Sequence, residues 1–221
     1  MNLEPPPGFR GLQPHIPLRM YRQRLPHWRQ PGATYFVTFR LADSIPQEQL
    51  TALKRWRTIW EEQHPEPRSE DDWRELAKEI TTRTERWLDE GHGECIFKHH
   101  ELAEEMAKSL LHFQDDRCFT SCYAIMGNHV HAVMKPLDDH ELEDLIGRIK
   151  QFVANKVNKH LKRSGVLWEP ETYDRIVRDA EHLYNVIQYI GNNPKKAGLP
   201  PEQWHRWLHP DLSNLGWHFR T

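Results

Sequence analysis

The segment Gly127-Asn128-His129-Val130-His131 places two histidines two residues apart in a stretch rich in β-forming residues. Side chains alternate across a strand, so both imidazoles face one way and Val130 the other. Two aligned imidazoles can chelate a metal ion. In a chain with 15 histidines such a pair also arises by chance, and a metal site needs a third donor. Tyr189 and Asn193 lie four residues apart in a helical pattern and so share a helix face. Asn193 precedes Pro194, which tends to end a helix, so its amide is expected at a C-terminal position, free to point outward. A phenol with its ordinary pKa of about 10 attacks poorly at neutral pH unless a base takes its proton or the electrophile is strongly activated. A metal that polarises a phosphodiester meets the second requirement; without one, Tyr189 reads as an amphipathic core or rim residue.

The elements that must hold these groups follow from hydrophobic period and punctuation. Thr34 to Leu41 reads as a strand introduced by Pro31 and Gly32. Helices are expected over Gln47 to Gln63 and Glu70 to Glu90, which form a charged hairpin, and over Glu101 to Phe113. Phe119 to Met126 and His129 to Lys135 read as two strands joined at Gly127-Asn128, a pair suited to positive φ. Asp138 or Asp139 is expected to cap a helix over Leu142 to Leu161. Tyr173 to Val177 is a short strand, and a helix from Asp179 ends at Asn192-Asn193-Pro194. The order predicts an α+β fold: a ferredoxin-like antiparallel sheet with helices on one side, plus the inserted helical hairpin at about residues 64–92.

The set Gly127-Asn128-His129-Val130-His131, Tyr173-Asp174-Arg175 and Tyr189-Ile190-Gly191-Asn192-Asn193-Pro194-Lys195-Lys196-Ala197-Gly198-Leu199 resembles the REP-associated tyrosine transposases, a domesticated branch of the single-tyrosine HUH transposases. The likeness covers about residues 30 to 200, and its specificity lies in the ordered set, not in the histidine pair alone. It implies an HUH endonuclease fold, with His129, His131 and Asn193 as metal ligands and Tyr189 as the nucleophile that forms a 5′-phosphotyrosine link. The implied cofactor is a divalent metal, Mg or Mn; imidazole donors suit Mn better than the harder Mg. The implied activity is cleavage and rejoining of single-stranded DNA at hairpin-forming repeats. Two other functions fit such a chain: a non-catalytic DNA-hairpin binding or regulatory protein, and a metal-dependent hydrolase of RNA or nucleotides.

Composition bounds the rest. The 221 residues, 38% apolar, suffice for one catalytic domain over 33–199, with a basic proline-rich arm over 1–32 and a Trp-rich tail over 200–221. No apolar run approaches the roughly 18 residues of a membrane helix, and the proline-rich start is unlike a signal peptide. Three cysteines without a Cys-x-x-Cys pair exclude a disulfide framework and a zinc ribbon. A cytoplasmic, nucleoid-associated monomer or homodimer is expected. The net charge of −2 is an average over blocks of opposite sign. Pro5 to Ala42 carries six arginines and no acid, Gly147 to Trp168 carries six cations and no acid, and the inserted hairpin is acidic. Local fields, not the total, are what a partner meets. The expected contacts to single-stranded or hairpin DNA are Arg22, Arg24 and Arg29 on the arm, Arg148, Lys150, Lys156, Lys159 and Lys162 on one helix, and Arg175, Arg178, Lys195 and Lys196 beside the motif.

Overall fold

A computed structural model describes residues 4–22 and 25–220; Arg24 lies outside the described residues. Strands are β1 (Arg19–Arg22), β2 (Pro26–Arg29), β3 (Tyr35–Arg40), β4 (Cys118–Ile125), β5 (His129–Pro136), β6 (Tyr173–Ile176) and β7 (His205–Leu208). Helices are α1 (Gln47–Gln63), α2 (Glu70–Asp89), α3 (His100–Leu111), α4 (Leu142–His160), α5 (Ala180–Lys196) and the short α6 (Pro210–Asn214). Five strands form one antiparallel sheet in the order β6-β3-β5-β4-β7. The α+β antiparallel architecture is as the sequence predicts.

Strand alternation divides the sheet into two faces. Tyr35, Val37 and Phe39 of β3 and Val130, Ala132 and Met134 of β5 pack in one core with Leu102, Met106 and Leu110 of α3 and Leu145, Ile149 and Val153 of α4. Phe36 and Val133 point the opposite way, into a second core with Leu183, Val186, Ile187 and Ile190 of α5. The helices are therefore not all on one side: α3 and α4 cover one face, as the expected arrangement has them, and α5 covers the other. The reason is the apolar period of α5, which needs its own sheet face to bury. The odd-numbered set of β3 is already taken by α3 and α4.

Local details also depart from expectation. Neither Gly127 nor Asn128 has a positive φ. Glycine suits position 127 through close approach, since a Cβ there would lie 3.1 Å from the Cys95 Cβ. Leu142 opens α4 behind Glu141, with no side-chain cap, and Asp138 instead sits in the left-handed region at φ 52°. Ser69 and Asp72 form the reciprocal cap that starts α2. The tail joins the fold: β7 pairs with β4, and the Trp217 side chain is fully buried beside α5.

The arm is anchored as well. β1 and β2 form an antiparallel hairpin next to β6. Arg29 is turned inward, where its guanidinium pairs with Asp174 of β6 and with Glu143 of α4, the latter at 2.5 Å. His27 Nδ1 lies 2.6 Å from the same Asp174 carboxylate. Arg29 is thus a structural cation and leaves the set of expected DNA contacts, because two carboxylates remote in sequence already neutralise it. Burial alone would depress the His27 pKa; its hydrogen bond to Asp174 and the Glu171 carboxylate 3.7 Å from Nε2 outweigh this and raise it to about 9.

A group whose folded pKa is raised contributes stability below its unfolded pKa of about 6.5 and loses it as pH climbs through the folded value. Unfolding free energy attributable to His27 is therefore expected to fall between pH 6.5 and about 9, as read by urea denaturation across that range. Asp174→Asn should reduce this slope and cost about 3–5 kcal/mol at neutral pH, since it removes the carboxylate shared by His27 and Arg29 and leaves Arg29 with Glu143 alone.

Candidate active site

The second sheet face carries the chemistry. The period-2 geometry of β5 aims His129 and His131 at it, both 1% exposed, with ring centroids 4.7 Å apart. Each ring is held from behind. His129 Nδ1 lies 2.8 Å from Asn128 Oδ1. The Asn128 amide is oriented by its own donation to the His92 carbonyl at 3.0 Å and, at longer range, to the Leu88 carbonyl. Because the amide nitrogen faces two carbonyls, the amide oxygen must face the imidazole, so His129 Nδ1 carries the proton and Nε2 is bare. His131 Nδ1 lies 2.7 Å from Thr38 Oγ1, its partner in the β3–β5 register.

The Nε2 atoms of the two rings are 3.1 Å apart: where Thr38 accepts the His131 Nδ1 proton both Nε2 are bare and face one spot, and where Thr38 donates, His131 Nε2–H bonds His129 Nε2. Burial, and then the Lys196 charge, pushes the His129 pKa down to about 3; burial, His129 and Lys196 hold His131 well below its ordinary value. Two neutral imidazoles with facing lone pairs repel one another, and a cation between them removes the repulsion. Neighbouring donors around an octahedral ion with bonds of about 2.1 Å are separated by about 3.0 Å, so the spacing fits a divalent metal. Asn193 supplies the third group: its amide is 2.6 Å from His131 Nε2, and its Oδ1 is buried with no hydrogen-bond partner among the described residues. The 2.6 Å contact is made by the amide nitrogen; a half-turn of the amide turns the orphaned oxygen toward the imidazoles. Among the described residues no three His, Cys, Asp or Glu side chains gather in a metal-binding cluster, so the neutral amide is what completes this set.

Asn193 reaches the site differently from the expected route. Helix α5 does not stop before Pro194; it runs through it to Lys196, and Asn193 is 1% exposed and directed inward. Tyr189, one turn earlier, stands edge-on to His131 with centroids 5.4 Å apart and edge-on to Phe36 at 5.8 Å. Its Oη is buried and makes no formed hydrogen bond among the described residues. Burial, followed by the charge of Glu85, raises the phenol pKa well above its ordinary value.

The inserted hairpin borders this site. Trp60 of α1 packs with Trp73, Leu76 and Ile80 of α2, and the last turns of α2 reach the catalytic face, where Asp89 pairs with Lys196 at 2.7 Å. Asp89 thereby brings one of the hairpin's acids beside Lys196 of α5. Glu85, Asn128 and Thr38 were not among the residues singled out from the sequence; only the adjacency of Asn128 to the histidine pair offered a signal.

The expected DNA-contacting cations divide in three. Arg175, Lys195 and Lys196 are exposed beside α5 and β6, with Arg175 over the Phe36 ring at 5.2 Å; Arg178 is exposed at the start of α5. Arg148, Lys156, Lys159 and Lys162 are exposed on α4 and the turn after it, on the sheet face opposite the histidines. Lys150 leaves the set: it is 9% exposed and donates to the Glu169 and Pro170 carbonyls and to Thr172. Burial lowers its pKa to about 8. Exposed Arg22 pairs with Glu66 at the base of the inserted hairpin.

Residues 93–193 match the family model described as transposase, IS200 like, and this stretch contains His129, His131, Tyr189 and Asn193. No curated protein matches the chain. A solved structure of a REP-associated tyrosine transposase bound to a REP hairpin is similar over 81% of this chain and 74% of that one, at 13% identity and a TM-score of 0.44. Among the described residues no helix is long and apolar enough to cross a membrane.

Thr38→Val keeps the shape of the side chain and removes the hydroxyl opposite His131 Nδ1. It is expected to cost about 1–3 kcal/mol in urea unfolding, because a buried imidazole N–H loses its acceptor. Unchanged stability would mean that Thr38 does not set the tautomer.

Proposed function

We propose, on the match of residues 93–193 to the IS200-like transposase model and on the site geometry, that this protein is a metal-dependent endonuclease and strand transferase for single-stranded, hairpin-forming DNA, acting through Tyr189. The observation that carries the reading is the convergence of His129, His131 and Asn193, all buried, beside a tyrosine oxygen that has no partner. His129 and His131 through Nε2 and Asn193 through its amide oxygen would hold Mg or Mn, which when bound withdraws charge from the scissile phosphate as in-line displacement develops. Tyr189 Oη attacks phosphorus, a 5′-phosphotyrosine forms and the 3′-oxygen leaves. Thr38 and Asn128 fix the imidazole tautomers, the kind of support whose loss typically weakens a metal site 10–100-fold. Arg175, Lys195 and Lys196 are the cations placed to meet the phosphate backbone near the chemistry; Arg178, Arg148, Lys156, Lys159 and Lys162 would serve more distant parts of a folded hairpin, and Arg22 a stem near the inserted helices.

The buried state of Tyr189 and the neutral third donor favour a second reading, a hairpin-binding protein on the same fold that no longer cuts. Labelled single-stranded hairpin DNA with and without Mn separates the two. Tyr189→Phe is expected to abolish cleavage and the covalent adduct while hairpin binding stays within a few fold; a Tyr189→Phe protein that still cleaves at the parent rate rejects the tyrosine mechanism, and a parent that binds without forming an adduct selects the second reading. Binding should weaken linearly in log salt, and Lys195→Ala or Arg175→Ala should each reduce that slope by about one.

A further inference from the structure

The helix that carries Tyr189 and Asn193 is weakened across the turn that joins them, and the tail of the chain is fastened to that turn. Pro194 has no N–H for the Ile190 carbonyl and its ring crowds that carbonyl, yet α5 runs on to Lys196. The helix closes only past Pro194. There Gly198 stands at φ 65°, and the Gly198 and Leu199 amides donate to the Lys195 and Pro194 carbonyls, both at 3.0 Å. Gly191 lies two residues from Tyr189 and two from Asn193, about 200° around the helix from each, so whatever meets position 191 presses on the back of the site. Phe219 meets it: a Cβ on Gly191 would fall 2.3 Å from the Phe219 Cδ1. Arg206 of β7 donates from Nη1 to the Gly191 carbonyl at 2.8 Å, with its guanidinium over the Phe219 and Trp204 rings at 5.0 and 5.1 Å. On the same helix, Gln188 donates to the His218 carbonyl and accepts from the Arg220 amide, each at 2.8 Å. Because β7 pairs with β4, these contacts tie α5 to the sheet that carries the histidines.

We propose that Arg206 and Phe219 are positioning residues for the candidate site: braced by the tail, α5 keeps its helical course through Pro194 and holds the Asn193 amide against His131. This rests on the reading of Asn193 as the third metal donor. Both residues act through the α5 backbone. The part of α5 before the weak turn has anchors of its own, since Leu183, Val186, Ile187 and Ile190 pack in one core with Phe36 and Val133. The part after it, Gly191-Asn192-Asn193-Pro194-Lys195-Lys196, has no such apolar row. Without the brace the helix ends where Pro194 favours, and the Asn193 amide, 2.6 Å from His131 Nε2, swings away while Tyr189 stays in place. The tail therefore sets the third donor and leaves the nucleophile alone. Glycine inside a helix is less favourable than alanine; at position 191 it makes room for the Phe219 ring.

The test uses the full chain as parent, Arg206→Ala, Arg206→Lys, Gly191→Ala and Asn193→Ala. The first readout needs neither metal nor DNA. Hydrogen exchange of the Ala197, Gly198 and Leu199 amides, which bond to the Asn193, Lys195 and Pro194 carbonyls, should run about tenfold faster in Arg206→Ala, with the β3 and β5 amides at parent rates. Arg206→Lys keeps a donor and should recover in part. Gly191→Ala should also exchange faster there, although alanine is the better helix former. Mn affinity, read from the EPR signal of free Mn, should fall about tenfold in Arg206→Ala, with Asn193→Ala as the limit. Parent exchange rates at these three amides in Arg206→Ala overturn the proposal, as does slower exchange in Gly191→Ala. Equal acceleration in β3 and β5 also overturns it and makes Arg206 a stabiliser of the whole fold. So does Mn binding that Asn193→Ala weakens and Arg206→Ala leaves unchanged. A parent that binds no Mn, or an Asn193→Ala protein that binds it as the parent does, removes the metal reading instead, and the exchange rates then decide the role of Arg206 in α5 on their own.

Discussion

The candidate site depends on two buried imidazoles whose Nε2 atoms are held 3.1 Å apart. Burial keeps both rings neutral, so at that distance either one Nε2–H donates to the other ring or a cation is needed between two bare nitrogens. The spacing is set by groups that hold the rings from behind. Thr38 is fixed by the β3–β5 register, and Asn128 by carbonyls on α2 and in the turn after it. The geometry is thus written into the backbone hydrogen bonds of a sheet, which is why its parts come from segments far apart in the chain.

The elements that make this geometry were legible to the degree that they repeat locally. The β4–β5 hairpin and the common direction of His129 and His131 follow from period 2, and the shared face of Tyr189 and Asn193 follows from the helical spacing. What the local pattern does not contain is the identity of the opposing surface. Asn193 next to Pro194 reads as a helix end; the structure keeps the helix going and uses the position to press the amide against His131. Arg29 and Lys150 read as solvent-facing cations because their neutralising groups are remote: Asp174 stands 145 positions from Arg29, and the Glu169 carbonyl 19 positions from Lys150. Asp89 reads as one more acid on a charged helix, since nothing within α2 distinguishes the acid that meets a lysine of α5 from those that meet water.

The distribution of charge has a similar lesson. The two acid-free runs meet partners of opposite sign in the fold. The α4 cations lie on the sheet face opposite the histidines, Arg29 and Arg22 of the arm pair with Asp174, Glu143 and Glu66, and Asp89 of the acidic hairpin reaches Lys196. The field near Tyr189 is therefore mixed, with Arg175 and Lys196 close to Glu85 and Asp89. A surface of one sign would attract any polyanion. A mixed one places the burden of recognition on where individual phosphates fall, in keeping with a substrate of defined fold.

The same contacts that complete the site also close it. With Tyr189 Oη buried, the tyrosine reading requires room to open around that atom before a phosphate can reach it. At the site itself the hold is modest: an Asp89–Lys196 pair whose lysine is 59% exposed, of a kind worth about 0–1 kcal/mol, and one long hydrogen bond from Asn128 to Leu88 alongside its better bond to His92. Away from it the hairpin is locked into the fold: Trp60, Trp73, Leu76 and Ile80 share a buried cluster with Leu25 of the arm and pack against Trp28 and Tyr173, and Trp87 and Leu88 pack with Ile45. A bound phosphate would offer Lys196 a second anion in place of Asp89, so opening by exchange of side-chain partners costs less than moving the hairpin, which would break both apolar clusters.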